Sequence, residues 1–233
     1  MLEIFRTLAL GSTIATLLVA ILSTVRISLG SRLVAAAIVG GWIGVVVAIT
    51  ATGNLPPLAF LALFGFPLIV AAFLAGIPAT RAALAEIPVP LIIGLNVFRI
   101  LGFLFIVLAV DGRLAGPFPY FAGIGDMITG LFALPVARLA ARSGPGRLEV
   151  LAWNAFGMLD LIVAVSLGLL SNNGFPLQII HAGVGSNAVT TLPWALIPLV
   201  LVPTYLVGHV IVFAHARAQA ASRAVGSQRL ARA

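Results

Sequence analysis

Seven apolar stretches, each about as long as a bilayer is thick, decide what this chain can fold into. They fall at 7–25, 33–52, 58–77, 89–110, 118–140, 148–170 and 192–213. About 20 apolar residues in a row cross roughly 30 Å of hydrocarbon as a helix. Composition agrees: 61% of residues are hydrophobic and 8% charged, where a soluble domain carries about 25% charged. The expected fold class is all-α: a polytopic membrane protein built as a seven-transmembrane-helix bundle. Residues 1–216 form its single domain, and 217–233 a basic, disordered tail. The amino terminus reads as the first span rather than a cleaved signal peptide, because its removal leaves further spans and not a secreted domain.

Turn chemistry separates the spans. Asn54-Leu55-Pro56-Pro57 lies between the second and third, and 111–119, with two prolines and two glycines, between the fourth and fifth. Ser143-Gly144-Pro145-Gly146 precedes the sixth. The segment 79–87, bounded by Pro78 and Pro88, reads as a short interfacial helix. The longest loop, 171–191, is apolar for a loop and either folds back as a lid or lies at the interface. Gly40 and Gly44 make a small-xxx-small pair suited to close helix packing.

With seven crossings, Arg26, Arg32, Arg81, Arg138, Arg142, Arg147, Arg217, Arg223, Arg229 and Arg232 fall on one side, and Arg6 and Arg113 on the other. The positive-inside tendency then places the carboxyl terminus in the cytoplasm and the amino terminus outside. The expected location is a bacterial-type cytoplasmic (inner) membrane.

The net charge of +7 is carried by dispersed arginines with no basic stripe, so nucleic acid is not an expected partner. There is no cysteine and no lysine, which excludes thiolate chemistry, zinc–sulfur sites and a retinal Schiff base. HExxH, GxSxG and P-loop patterns are missing as well. A single intramembrane histidine cannot supply a bis-histidine haem site. No metal or cofactor is expected.

Against this background Arg99, Asp126, Asp160 and His209 stand out, because each falls within a different span, where an ionised group costs several kcal/mol unless paired or hydrated. Counting along the helices at about 1.5 Å per residue gives a charged layer of Arg99, Asp126 and Asp160. Asn96, Asn154 and His209 form a neutral-polar layer nearer the cytoplasm. Asn96 shares a helix face with Arg99, Gly157 with Asp160, and Tyr205 with His209. Ala122, Thr129, Gly130 and Ala133 keep the face of Asp126 small. One arginine cannot neutralise two aspartates in low dielectric, so either His209 is protonated or one acid holds a proton. Trp194 suits the outer aromatic belt.

Three functions follow from this pattern. The first is a small proton-linked transporter or conduit. Arg99, Asp126 and Asp160 form its site, and Asn96, Asn154 and His209 wet the path to the cytoplasm. Its partners are the lipid bilayer and a small solute or proton, and a homo-oligomer would offset the small size. The second is an intramembrane enzyme acting on a lipid or isoprenoid, with Asp126 or Asp160 as general acid. The third is a sensor or assembly subunit whose polar cluster only holds helices together.

Overall fold

The computed structural model describes residues 7, 10, 11, 13, 14, 29–53 and 55–230. Every regular element among them is helical. In chain order these are α1 (Leu29–Thr50), α2 (Pro57–Gly76), α3 (Pro78–Ala85), α4 (Val89–Leu95), α5 (Phe103–Val110), α6 (Phe118–Ser143), α7 (Leu148–Leu170) and α8 (Val202–Leu230). A 3₁₀ segment, Asn96–Gly102, joins α4 to α5, and a π-helical turn, Ile197–Leu201, leads into α8.

Five of these runs are long and apolar enough to cross a membrane: Pro57–Gly76, Val89–Val110, Phe118–Ser143, Leu148–Leu170 and Ile197–Val225. The sequence stretch 33–52 corresponds to α1, a helix of 22 residues. The stretch 7–25 lies, five positions aside, outside the described residues, so the five spans are those of the described residues. Two expectations change. The last helix begins its π turn at Ile197 rather than near 192. It then continues to Leu230, so the tail expected to be disordered from 217 is helical over that range. Alanine-rich sequence explains the extension, since alanine is the strongest helix former.

Proline and glycine set the helix ends. Pro57, Pro90 and Pro119 occupy the first turns of α2, α4 and α6, where a missing N–H is harmless. Gly144 closes α6 at φ +85°. Gln219 Oε1 accepts from Gly146 N at 2.9 Å, and a side chain at Gly144 would collide with Gln219. That contact, with His215 Nε2 3.3 Å from Ala85 O, gathers one end of the bundle.

The opposite end is closed by residues 171–191. This segment packs back against the helix ends and is called the lid below. Ser186 Oγ donates to Gly168 O at 2.6 Å, Ala115 N to Gly185 O at 2.9 Å, and Ile180 N to Leu170 O at 2.9 Å. Gly185 has φ +55°, and a Cβ there would strike Ser171 O. Within the segment Ser171, Phe175 and Ser186 are buried. Trp194 is fully buried in the apolar cluster there, with Leu104, Leu108 and Phe118, rather than sitting in an outer belt.

Packing is inverted relative to a soluble protein. Val110, Leu58, Phe73 and Ile69 are largely exposed on the outer surface, while Arg99, Asn154 and His209 are buried. An apolar cluster around Leu108 and Trp194 fills the lid end, and another around Ile93, Ala137 and Val212 fills the arginine-rich end. The polar residues lie between the two. α1 and α2 form a loosely attached apolar flank, tied in by Val46, Phe60 and Leu63 against the 195–200 turn. Gly40 and Gly44 touch nothing within 4 Å in this chain.

Candidate functional site

The site begins with an irregular backbone. The 22-residue run from Val89 to Val110 is wound as α-helix at both ends and as 3₁₀-helix in its middle, the turn that carries Arg99. On the facing element Pro198 and Pro203 lack N–H donors, and the turn between them is π-helical. Such interruptions recur at functional positions of membrane helices.

Glycine lets the elements close on one another. A Cβ at Gly102 would meet Asp126, and one at Gly130 would meet the backbone of Arg99 and Ile100. One at Gly125 would fall on the Asp160 carboxylate. A Cβ at Gly157 would lie 2.8 Å from His209 Cε1. Each glycine removes a methyl where a functional side chain has to pass.

Arg99 is the hub, and its side chain is 1% exposed. Nε donates to Asp126 Oδ1 at 2.6 Å and Nη2 to Asp160 Oδ2 at 2.6 Å. Nη1 donates to Gly157 O at 3.1 Å and lies 3.1 Å from His209 Nε2, with Asn96 Oδ1 at 3.4 Å. The Tyr205 ring centroid is 5.8 Å from the guanidinium carbon, within cation–π reach. All seven residues singled out in the sequence therefore gather in one cluster: Arg99, Asp126, Asp160, Asn96, Asn154, His209 and Tyr205.

Hydrogen bonding determines how His209 is used. Asn154 Nδ2 donates to His209 O at 3.0 Å, so its Oδ1 faces the ring, 2.8 Å from Nδ1. The proton therefore sits on Nδ1, and Nε2 accepts from Arg99. Trp153 packs its ring 5.6 Å from the imidazole and donates Nε1 to Thr129 O at 3.1 Å.

This arrangement changes one expectation. His209 is a direct partner of Arg99 and not part of a separate lower layer. Helical side chains lean toward the amino-terminal end of their helix, so Arg99 reaches down to the level of Asn96 and His209. Asn96, Asn154 and His209 are 3%, 0% and 1% exposed and bonded to protein atoms, a buried plug between Arg99 and the arginine-rich end.

The carboxylates are open where the arginine is sealed. Asp126 keeps 13% of its side chain exposed and Asp160 8%. Asp126 lines a cavity of about 60 Å³ beneath the 171–191 lid, between Phe60, Phe105, Phe118 and Phe175. Asp160 lines a different opening, an outward-facing groove of about 390 Å³ between α6 and α7, bordered by Phe121, Ile124, Phe156 and Leu159. No group of three or more histidines, cysteines or acids suited to a metal occurs among the described residues.

A family model described as a domain of unknown function, DUF8737, matches residues 55–217. The chain belongs to the DUF8737 family. No curated protein and no solved structure matches the chain. The DUF8737 region starts just before α2, leaves α1 outside, and contains the whole cluster together with the lid and both openings. The sequence reading did not assign roles to Gly102 and Gly125. Gly125 adjoins Asp126 in the sequence and Gly102 follows Arg99 by three positions, but which partner each admits depends on helices distant in sequence.

Proposed function

We propose that this chain is a small proton-linked membrane transporter whose mid-membrane site is Arg99, Asp126 and Asp160, in a bacterial-type cytoplasmic membrane. The observation that carries the reading is the guanidinium bridging two acids that face different openings, Asp126 the lidded cavity and Asp160 the groove. With His209 accepting from Arg99, charge balance falls to the carboxylates. One guanidinium matches one carboxylate, and the second acid must take a proton or another cation. The 3₁₀ and π turns beside the site supply soft points for opening the plug of Asn96, Asn154 and His209.

Proton flux into proteoliposomes under an imposed pH gradient tests this. Wild type is expected to exceed protein-free vesicles, with Asp126→Asn and Asp160→Asn each at least tenfold slower. Flux equal to empty vesicles, or unaffected by both substitutions, would overturn the reading.

A second reading draws on the groove, which brings an acid within reach of a lipid-facing surface. An intramembrane enzyme would use Asp160 as general acid on a lipid or isoprenoid. Mass spectrometry of lipids incubated with wild type and Asp160→Asn separates the two, because only this reading requires an Asp160-dependent product.

A further inference from the structure

The lidded cavity has a composition that selects one kind of occupant. Among the described residues its one ionisable lining residue is Asp126, and its walls are otherwise aliphatic and aromatic, with Asn172, Ser186 and Thr190 at the lid. Arg99, the one cation of the cluster among the described residues, is sealed at 1% exposure and committed to protein acceptors. A molecule in this space meets a carboxylate at one end, phenyl faces around its body and neutral polar groups under the lid. Anions have no partner there. A neutral apolar molecule gains nothing from the carboxylate, whose surplus charge a proton must then balance. An ammonium satisfies the acid and is also attracted to aromatic faces.

Volume sets the size. A space of about 60 Å³ is well below the roughly 150 Å³ of a cavity that takes benzene, and at about 10–15 Å³ per water-sized site it holds on the order of four to six such positions. Aromatic amines are too large, whereas an ammonium group on one or two carbons fits.

We infer that the cavity beneath residues 171–191 is a binding site for a short primary alkylammonium ion, its charged end on Asp126 and its alkyl chain against Phe60, Phe105 and Phe118. The inference rests on the transport reading and names the class of solute that would exchange with the proton on the same acid.

Isothermal titration of the full chain in nanodiscs with ethylammonium, ethanol and acetate tests it without any ion gradient. Ethylammonium is expected to bind at least tenfold more tightly than ethanol, and acetate not at all. Asp126→Asn should weaken ethylammonium binding at least tenfold. Because that variant disturbs the Arg99 pair, Ala164→Leu provides a second test: Ala164 lines the cavity but belongs to no ion pair, and a leucine there should abolish binding by filling space. Equal affinity for ethanol and ethylammonium, or full binding by Ala164→Leu, would overturn the inference. Proton flux without ammonium binding would sink this inference and spare the transport reading; binding without any flux would do the opposite.

Discussion

At the residue scale, Arg99 matters because of its shape. A guanidinium is a rigid planar fork, and here Nε serves α6, Nη2 serves α7, and Nη1 serves α7 together with His209 of α8. Lysine offers a compact point charge that cannot hold both carboxylates at 2.6 Å. Arg99→Lys should therefore strand one acid. Removing a partner from a buried pair typically costs about 3–5 kcal/mol, so Arg99→Lys should melt well below wild type in detergent. Equal melting temperatures would show that the two acids do not depend on the fork. Glycine carries the complementary test. Gly125→Ala pushes a methyl onto the Asp160 carboxylate, and overpacking of this kind costs about 1–3 kcal/mol. Gly44→Ala, with nothing within 4 Å, should change stability by no more than about 0.5 kcal/mol. Similar melting curves for the two glycine variants would contradict this assignment.

At the element scale, the lid is ordered by a few backbone-directed bonds and turns at three glycines of positive φ, Gly174, Gly183 and Gly185. Gly185→Ala strains the backbone at φ +55° and drives a methyl into Ser171 O. Hydrogen exchange of residues 172–190 should accelerate at least tenfold, while α7 stays protected; uniform exchange in both forms would mean that the lid is held otherwise. Elements also show how far the sequence could be read. The span 148–170 coincides with α7 because its hydropathy changes sharply at Arg147 and Ser171. The seven polar residues converge because helices exposed to lipid have only the interior in which to place such groups. Depth counted along an axis, however, says nothing of a side chain's lean or of a partner across the bundle. That is why His209 looked like a lower layer and Trp194 like a belt residue. The 3₁₀ turn at Asn96–Gly102 contains no proline to announce it, and the close approach of Gly130 to the backbone at Arg99 and Ile100 is visible only once α6 is beside it.

At the scale of the whole molecule, the two ends of the bundle differ in charge. Arg81, Arg138, Arg142, Arg147, Arg217 and Arg223 lie at the end held by Gln219 and His215, against Arg113 at the lid end. The natural chain contains no cysteine, so single cysteines report sidedness directly. In intact bacterial cells, a membrane-impermeant maleimide should label Leu177→Cys in the lid and leave Ser222→Cys untouched until the membrane is opened. The reverse pattern would invert the orientation.

One flat group of atoms grips both acids, and on the proposed transport reading that shared grip links the cavity to the groove. A solute that drew Asp126 aside would then tilt the plane that also holds Asp160. Thermodynamics would impose a symmetry on that link: by whatever factor occupancy under the lid altered proton affinity at the lipid-facing acid, a proton on that acid would alter occupancy under the lid equally.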